Sequence, residues 1–319
     1  MPTATPDAVA AMLDGGPGLW LASGPAQPLA PGVGAVVESS GSTGRPQPIE
    51  LRRDALVAAA TASRDHFGWD ATWHLALPSH YVAGLMVLVR GALGLGVRDC
   101  GSDLAGLDPA PGRNCLSIVP TQLRRALDAG LPLGAIDAVL VGGAPLEAAL
   151  RRRAEEAGVR VVETYGMSET CGGVVYDGQP LPGVDVAIEE GRIRLSGPMV
   201  VGGTLLTNDR GEWRDGRLRV LGRIDDLVIT GGLKADLAVV RAALQAHAWE
   251  SWALAVDDEE WGQRIVAFVP SGSLAQWRER LAASLPRHAL PRQVVVVERL
   301  PRTPGGKPDR EKLLGLLAT

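Results

Sequence analysis

The chain has 319 residues, of which 46% are apolar and 21% charged, and a formal net charge of −4. This is enough apolar material to bury a sizeable core, in one large domain or two unequal ones. The charge is spread thinly, without a long basic block, which argues against nucleic acid or an anionic membrane as partner and leaves small molecules. In chain order, the start MPTATPDAVA lacks the basic residues and apolar core of a signal peptide. A strand-like run, GAVVE, leads into SSGSTGRPQP at 39 to 48, with two glycines and four hydroxyls, and then into IELRRDALVAAA. That loop has two readings: a plain surface turn, or a set of backbone N–H and hydroxyl donors facing one phosphate.

Strands and helices then alternate. TWHLALP is followed by a helix from about His80 and by GVRDC; NCLSIVP is followed by TQLRRALDAG. AVLVGG (138 to 143) reads as a buried strand, APLEAALRRRAEEAG as an amphipathic helix ended by Gly158, and VRVVETYG (159 to 166) as the next strand. Arg151, Arg152 and Arg153 belong to the solvated face of that helix. The longest apolar stretch, YVAGLMVLVRGALGLGV, is broken by Arg90 and glycines and at 17 residues is marginal for a membrane span, so it reads as a buried helix and a strand. The alternation predicts a parallel sheet through the first two-thirds, with ligands outside the carboxyl ends of its strands. After residue 180, short strands with Gly and Pro turns predict a small β-rich subdomain. From about Asp226 the pattern becomes helix ADLAVVRAALQAH, strands WALAVDD and RIVAFVP, helix LAQWRERLAAS and strand QVVVVERL, which puts a boundary near Asp225. Cys100, Cys115 and Cys171 form no CxxC pair and leave an odd count, which fits a reducing cytoplasm.

Several site chemistries are absent from the string. There is no Walker loop, GMSET at 166 to 170 lacks the last glycine of a nucleophile elbow, and the five histidines supply neither HExxH nor a close His/Cys set for a dedicated metal cage. Four stretches in order share one pattern. SSGSTGRP, TYGMSET (164 to 170), GRIDD (222 to 226) and RTPGGKPDR (302 to 310) resemble the signatures of the adenylate-forming acyl-CoA synthetase superfamily, from about Ala35 to Glu311. The resemblance implies an α/β fold: a large N-terminal domain, 1–224, with mostly parallel sheets, helices and a small β-rich subdomain, then a small mobile α+β C-terminal domain, 226–319, on a hinge at Asp225.

The resemblance also implies roles. The loop Ser39, Ser40, Gly41, Ser42, Thr43 and Gly44 would wrap the β- and γ-phosphates of ATP. Gly142, Gly143 and Ala144 would border the adenine, and Tyr165, followed by Gly166, would stack on it. Ser168 would contact the α-phosphate, and Glu169 would help hold a magnesium ion, which favours a few carboxylates plus phosphate oxygens. Asp209 would bind the ribose hydroxyls, Arg223 would contact the ribose or a phosphate, and Lys307 would support adenylation. After rotation of the small domain, Gly231, Gly232 and Leu233 would line the path of coenzyme A. Taken singly, Glu169 also reads as a helix N-terminal acid, Lys307 as a solvent lysine, Tyr165 as a core aromatic, and Asp225 with Asp226 as caps.

Within the superfamily, LPSHYVAGL, VPTQLRRAL, LVGGAPL and TYGMSETCGG are most similar to a branch acting on an aromatic dicarboxylate. There His80, Thr121 and Gln122 would face the acyl pocket, with Tyr81, Val82, Gly84 and Leu85 shaping its wall. His80 is the candidate for the second carboxylate, although a lone histidine at a helix start also reads as a cap or a core residue. Two departures stand out. Gln47 occupies the place of a family lysine, with Arg45 nearby as a substitute of different reach. Only 38 residues precede Ser39, so outer helices and strands of the large domain are expected to be missing, leaving either a weakened edge or a homodimer surface.

Overall fold

A computed structural model describes residues 1–39, 47–303 and 308–317. Its contacts divide the chain into two units: Met1–Glu189, Ile193–Thr207 and Trp213–Arg219 make the first, and Glu190–Arg192, Asn208–Glu212 and Val220–Thr319 the second.

The first unit opens with α1 (Pro6–Leu13) and a three-stranded sheet of β1 (Leu19–Trp20), β2 (Val33–Ser39) and β3 (Gln47–Arg52). β2 and β3 are antiparallel, and their register ends with Ser39 opposite Gln47. Helix α2 (Arg53–Phe67) follows and stops at Gly68, whose φ of +75° is open to glycine at no steric cost.

The main sheet contains β4 (Thr72–Leu75), β5 (Val97–Asp99), β6 (Asn114–Ile118), β7 (Ala138–Val141), β8 (Val161–Met167), β9 (Gly172–Tyr176) and β10 (Gln179–Pro180), in the order β10-β9-β8-β7-β6-β4-β5. The strands from β4 to β8 are parallel, as the alternating sequence predicts, and β9 and β10 close one edge antiparallel. Every residue of β6 and β7 is buried, the mark of a parallel sheet covered on both faces. Period-two alternation divides them between two cores. Cys115, Ala138, Leu140 and Val162 pack with Trp73 and α3 (Val82–Ala92), whereas Leu116, Ile118, Val139 and Val141 pack with α4 (Pro120–Asp128) and α5 (Ala148–Glu156).

Two helices begin later than the sequence pattern predicts. α3 starts at Val82 rather than near His80, because Tyr81 is extended at the N-cap. α5 starts at Ala148 rather than Ala144, because Glu147 is extended at the N-cap.

Beyond residue 180 the expected short strands appear as β11 (Asp185–Glu189), β12 (Arg192–Ser196), β13 (Thr204–Arg214) and β14 (Arg217–Arg223), a sheet in that order whose last three strands are each divided between the units. The second unit adds β15 (Leu227–Thr230), β16 (Leu233–Asp236), α6 (Leu237–His247), β17 (Trp252–Asp258), β18 (Gly262–Val269), α7 (Leu274–Leu281), β19 (Gln293–Val296) and α8 (Arg310–Gly315). The Asp236 carboxylate accepts from Ala238 N at 2.9 Å, which is why α6 starts after it and not at Ala235. β15, β17 and β18 pair antiparallel, β19 joins β18 in parallel, and Val240, Ile265, Ala267, Trp277 and Leu281 fill the core beneath. Among the described residues no helix is long and apolar enough to cross a membrane.

All three cysteines are free and buried. Burial pushes the Cys100 thiol up to about 11 and those of Cys115 and Cys171 up to about 12. An ordinary thiol ionises near ~8.5, so the unfolded chain releases these protons at lower pH than the native one. The sign follows: the contribution is fully present below ~8.5 and is lost as pH rises toward the native values. Urea midpoints are expected to fall steadily from pH 8 to pH 10, and Ellman's reagent at pH 8 is expected to leave the native thiols unmodified until the chain unfolds.

Candidate active site

A parallel sheet consumes its backbone donors and acceptors in the ladder, so polar chemistry collects where the strands end. Four neighbouring strands end at the expected residues. β4 runs into Ser79, His80 and Tyr81; β6 into Thr121 and Gln122; β7 into Gly142, Gly143 and Ala144; β8 carries Tyr165 and Gly166 and turns at Ser168 and Glu169. The connection from β4 leads outward to β5 and that from β6 leads the other way to β7, so the order reverses between β4 and β6, the position at which open parallel sheets take their ligands.

The end of β8 is crowded. A Cβ at Gly166 would lie 1.9 Å from the Gly172 carbonyl oxygen, and one at Gly142 would lie 2.3 Å from Thr164 Oγ1. The short turn Ser168–Thr170 is tied by Thr170, whose Oγ1 accepts from Met167 N at 2.9 Å and donates to Gly172 O at 2.7 Å. Val201 N donates to the Glu169 carbonyl at 2.8 Å. The Ser168 hydroxyl and the Glu169 carboxylate are half-buried and have no side-chain partner among the described residues. Tyr165 packs half-buried on the main core. β2 and β3 both pack against the turn, so Ser39 and Gln47, which flank the glycine-rich loop, belong to the same neighbourhood. Ser40, Gly41, Ser42, Thr43, Gly44 and Lys307 lie outside the described residues.

On the acyl side, His80 is half-buried, with its ring centroid 4.3 Å from that of Tyr81, and His80 Nδ1 has no hydrogen-bond partner among the described residues. Burial holds its pKa below the ordinary histidine value, against a smaller opposing pull from Glu38. Its imidazole is therefore neutral at pH 7 and can offer a hydrogen bond but no charge. Gly84 is buried where α3 crosses the preceding loop, and a Cβ there would meet Pro78 O at 2.3 Å. Thr121 is half-buried in the first turn of α4. Gln122 spends its amide on protein: Oε1 accepts from Val119 N at 3.0 Å, and Nε2 donates to Ala76 O and Ser102 O, each at 2.9 Å.

In the second unit, Arg223 forms a fork on Asp225, Nε to Oδ1 at 2.8 Å and Nη2 to Oδ2 at 3.0 Å, and its Nη1 stands 3.5 Å from Asp209 Oδ1. The Asp225 hydrogen bond is the main reason that the guanidinium is held above its ordinary range. Gly231 and Gly232, with φ of +59° and +75°, make the two-residue connection between Thr230 and Leu233, a turn that needs positive φ at both places. Gly231 N donates to Trp261 O at 2.9 Å, and a Cβ on Gly231 would strike the Trp261 ring.

Two features escape a linear reading. Glu38, the last residue of GAVVE, is buried and accepts from Ser23 N at 2.7 Å, whereas the string suggests only a strand residue. Arg124 pairs with Glu147 at 3.0 Å, bracing α4 against the residue that caps α5 just after Ala144. Neither has a local signal, because each partner comes from a separate element. No cluster of three or more His, Cys, Asp or Glu stands together among the described residues. The unpaired Glu169 carboxylate suits a magnesium ion held mainly by phosphate oxygens.

The family described as AMP-binding enzyme matches residues 35–205, and the AMP-binding enzyme C-terminal domain matches residues 243–307. A protein of Mycobacterium tuberculosis named probable 2-succinylbenzoate–CoA ligase is 37% identical over 321 residues, covering 88% of this chain and 84% of its own length. The solved o-succinylbenzoate CoA synthetase of Bacillus subtilis, in complex with its acyl-adenylate intermediate, is 25% identical with a TM-score of 0.77, over 88% of this chain and 69% of that one. ATP-bound MatB from Rhodopseudomonas palustris is 26% identical with a TM-score of 0.75, over 88% and 67%.

The crowding at β8 sets a test. Gly166→Ala is expected to lower unfolding stability by about 3 kcal/mol, because the obstacle is backbone and cannot rotate away. It should also weaken AMP binding, measured by calorimetry at a temperature where the variant remains folded.

Proposed function

The chain belongs to the AMP-binding enzyme family, and on that premise we propose that it is an acid–thiol ligase that converts o-succinylbenzoate to its acyl adenylate with ATP and passes the acyl group to coenzyme A, a step of menaquinone biosynthesis. One observation carries the reading most: Ser168 and Glu169 at the end of β8, without side-chain partners among the described residues, set beside the β7 loop and against the hairpin of β2 and β3. The relatives described above support the choice of acid.

In the first half-reaction a carboxylate oxygen attacks the α-phosphorus and the bond to pyrophosphate breaks. The protein's task is charge neutralisation and in-line placement. Ser168 meets the α-phosphate, the loop from Ser39 to Gly44 takes the outer phosphates, and Lys307 answers the charge developing at the reacting phosphorus. Gly142, Gly143 and Ala144 border the adenine, with Tyr165 against its face. Asp209 and Arg223 serve the ribose. Magnesium, held at Glu169, would supply further neutralisation of the phosphate charge. In the second half-reaction the thiol sulfur attacks the acyl carbon, AMP leaves, and the thiol proton is released. A small domain from Asp226 onward turns on Asp225 between the steps and brings Gly231 and Gly232 to the pantetheine path. Neutral His80 donates to the second carboxylate. The three buried thiols support a reducing, cytoplasmic location.

Pyrophosphate release measured with ATP, magnesium and a panel of carboxylic acids tests the reading. The fastest release is expected with o-succinylbenzoate; preference for a monocarboxylate would move the assignment to another aryl or fatty acid, and ATP binding without release for any acid would leave a binding protein. Lys307→Ala is expected to slow pyrophosphate release by about a hundredfold or more while thioester formation from supplied acyl adenylate stays nearly unchanged. His80→Ala is expected to raise KM for the dicarboxylate by roughly tenfold or more, the worth of one hydrogen bond to a charged group, with KM for ATP unchanged.

A further inference from the structure

At the ends of β4 and β6 one side chain joins three chain segments. Gln122 Oε1 takes Val119 N, at the end of β6; Nε2 gives to Ala76 O, just past the end of β4, and to Ser102 O, in the loop that follows β5. Both amide hydrogens and the carbonyl are thereby engaged, so the group has little left to offer a substrate. The segment it holds is under strain. Leu104 lies two residues beyond Ser102 with φ of +63°, a left-handed conformation that L residues avoid, yet its side chain is buried with Leu116, Ile118 and Leu123. Strain of this kind persists only where surrounding contacts enforce it. Within the loop, Leu104 N donates to Gly101 O at 3.1 Å and Gly106 N to Cys100 O at 3.0 Å; Cys100 N to Leu75 O at 3.0 Å secures its start, and Gln122 and the burial of Leu104 tie it to α4 and the core.

We propose that Gln122 is a positioning residue that fixes the spacing of the strand ends on the acid-binding side by stitching the ends of β4, β5 and β6, and that it acts on acid binding without touching the acid. The inference rests on the ligase reading for its catalytic consequence, while the stitch itself is a property of the fold. Glu in place of Gln keeps the size and the acceptor for Val119 N but loses both donations and sets a carboxylate against two carbonyl oxygens. Met keeps the length and loses all three hydrogen bonds without adding charge.

The test uses the intact chain as wild type, Gln122→Met and Gln122→Glu, with two readouts. Amide hydrogen exchange is expected to speed up about tenfold or more in the segment 101–107 and at Val119 in both variants, while β7 and β8 keep their protection. In steady state, KM for o-succinylbenzoate and for monocarboxylate aryl acids is expected to rise together by about tenfold, more in the Glu variant than in the Met variant, with KM for ATP within about twofold of wild type. Unchanged exchange in both variants overturns the stitch, whether or not the enzyme turns over. A penalty confined to the dicarboxylate in Gln122→Glu overturns positioning in favour of direct contact, and an equal rise in KM for ATP and acid overturns the acid-side assignment. Absence of acid-dependent pyrophosphate release in the wild type would instead defeat the ligase reading, and the exchange result would still decide the stitch.

Discussion

The seam where β7, β8 and β9 end has no room for a Cβ, and the positions of the site's polar groups follow from it. With Gly142 against Thr164 and Gly166 against the Gly172 carbonyl, the backbones approach as closely as a buried sheet allows. The chain must leave the sheet abruptly at Met167, and the tight turn fixed by Thr170 exposes Ser168 and Glu169 in succession. Larger residues at either glycine would force the strand ends apart.

The molecule treats its acids in different ways. Glu169 has no side-chain partner among the described residues. Asp225 and Asp226 are consecutive but unlike. Asp225 is held by Arg223, two residues earlier in the chain, whereas the half-buried Asp226 pairs with Arg241 of α6 at 2.7 Å, and Arg241 in turn reaches Ala253 O at 3.0 Å and lies 4.2 Å from the Trp252 ring centroid. Asp225 is thereby tied to a neighbour in sequence and Asp226 to a separate helix.

The glycine-rich loop is entered from Ser39 and left through Gln47, which face each other across the last register of a hairpin. Gln47 is exposed there and carries no charge. Buried Glu38 beside Ser39 lowers the local potential for an anion, and its hydrogen bond from Ser23 N offsets part of that effect.

Much of this protein is written in local patterns. Alternating buried strands and amphipathic helices specify the parallel sheet, since a covered strand must be apolar throughout and its crossover helix must be apolar on one side. The placement of Gly142, Tyr165 and Glu169 at strand ends follows from the same grammar, as do the paired glycines at 231 and 232 that a two-residue turn demands. Other features have no local signature. Gln122 reads in the string as a pocket residue, and only the tertiary structure shows its amide shared among Val119, Ala76 and Ser102, because those carbonyls and that N–H come from three separate elements. Glu38, Arg124 with Glu147, and Asp226 with Arg241 are alike in this respect. Periodicity reports which face of an element is buried, but hydrogen bonding and charge pairing depend on which elements meet, and that is decided only when the chain has packed.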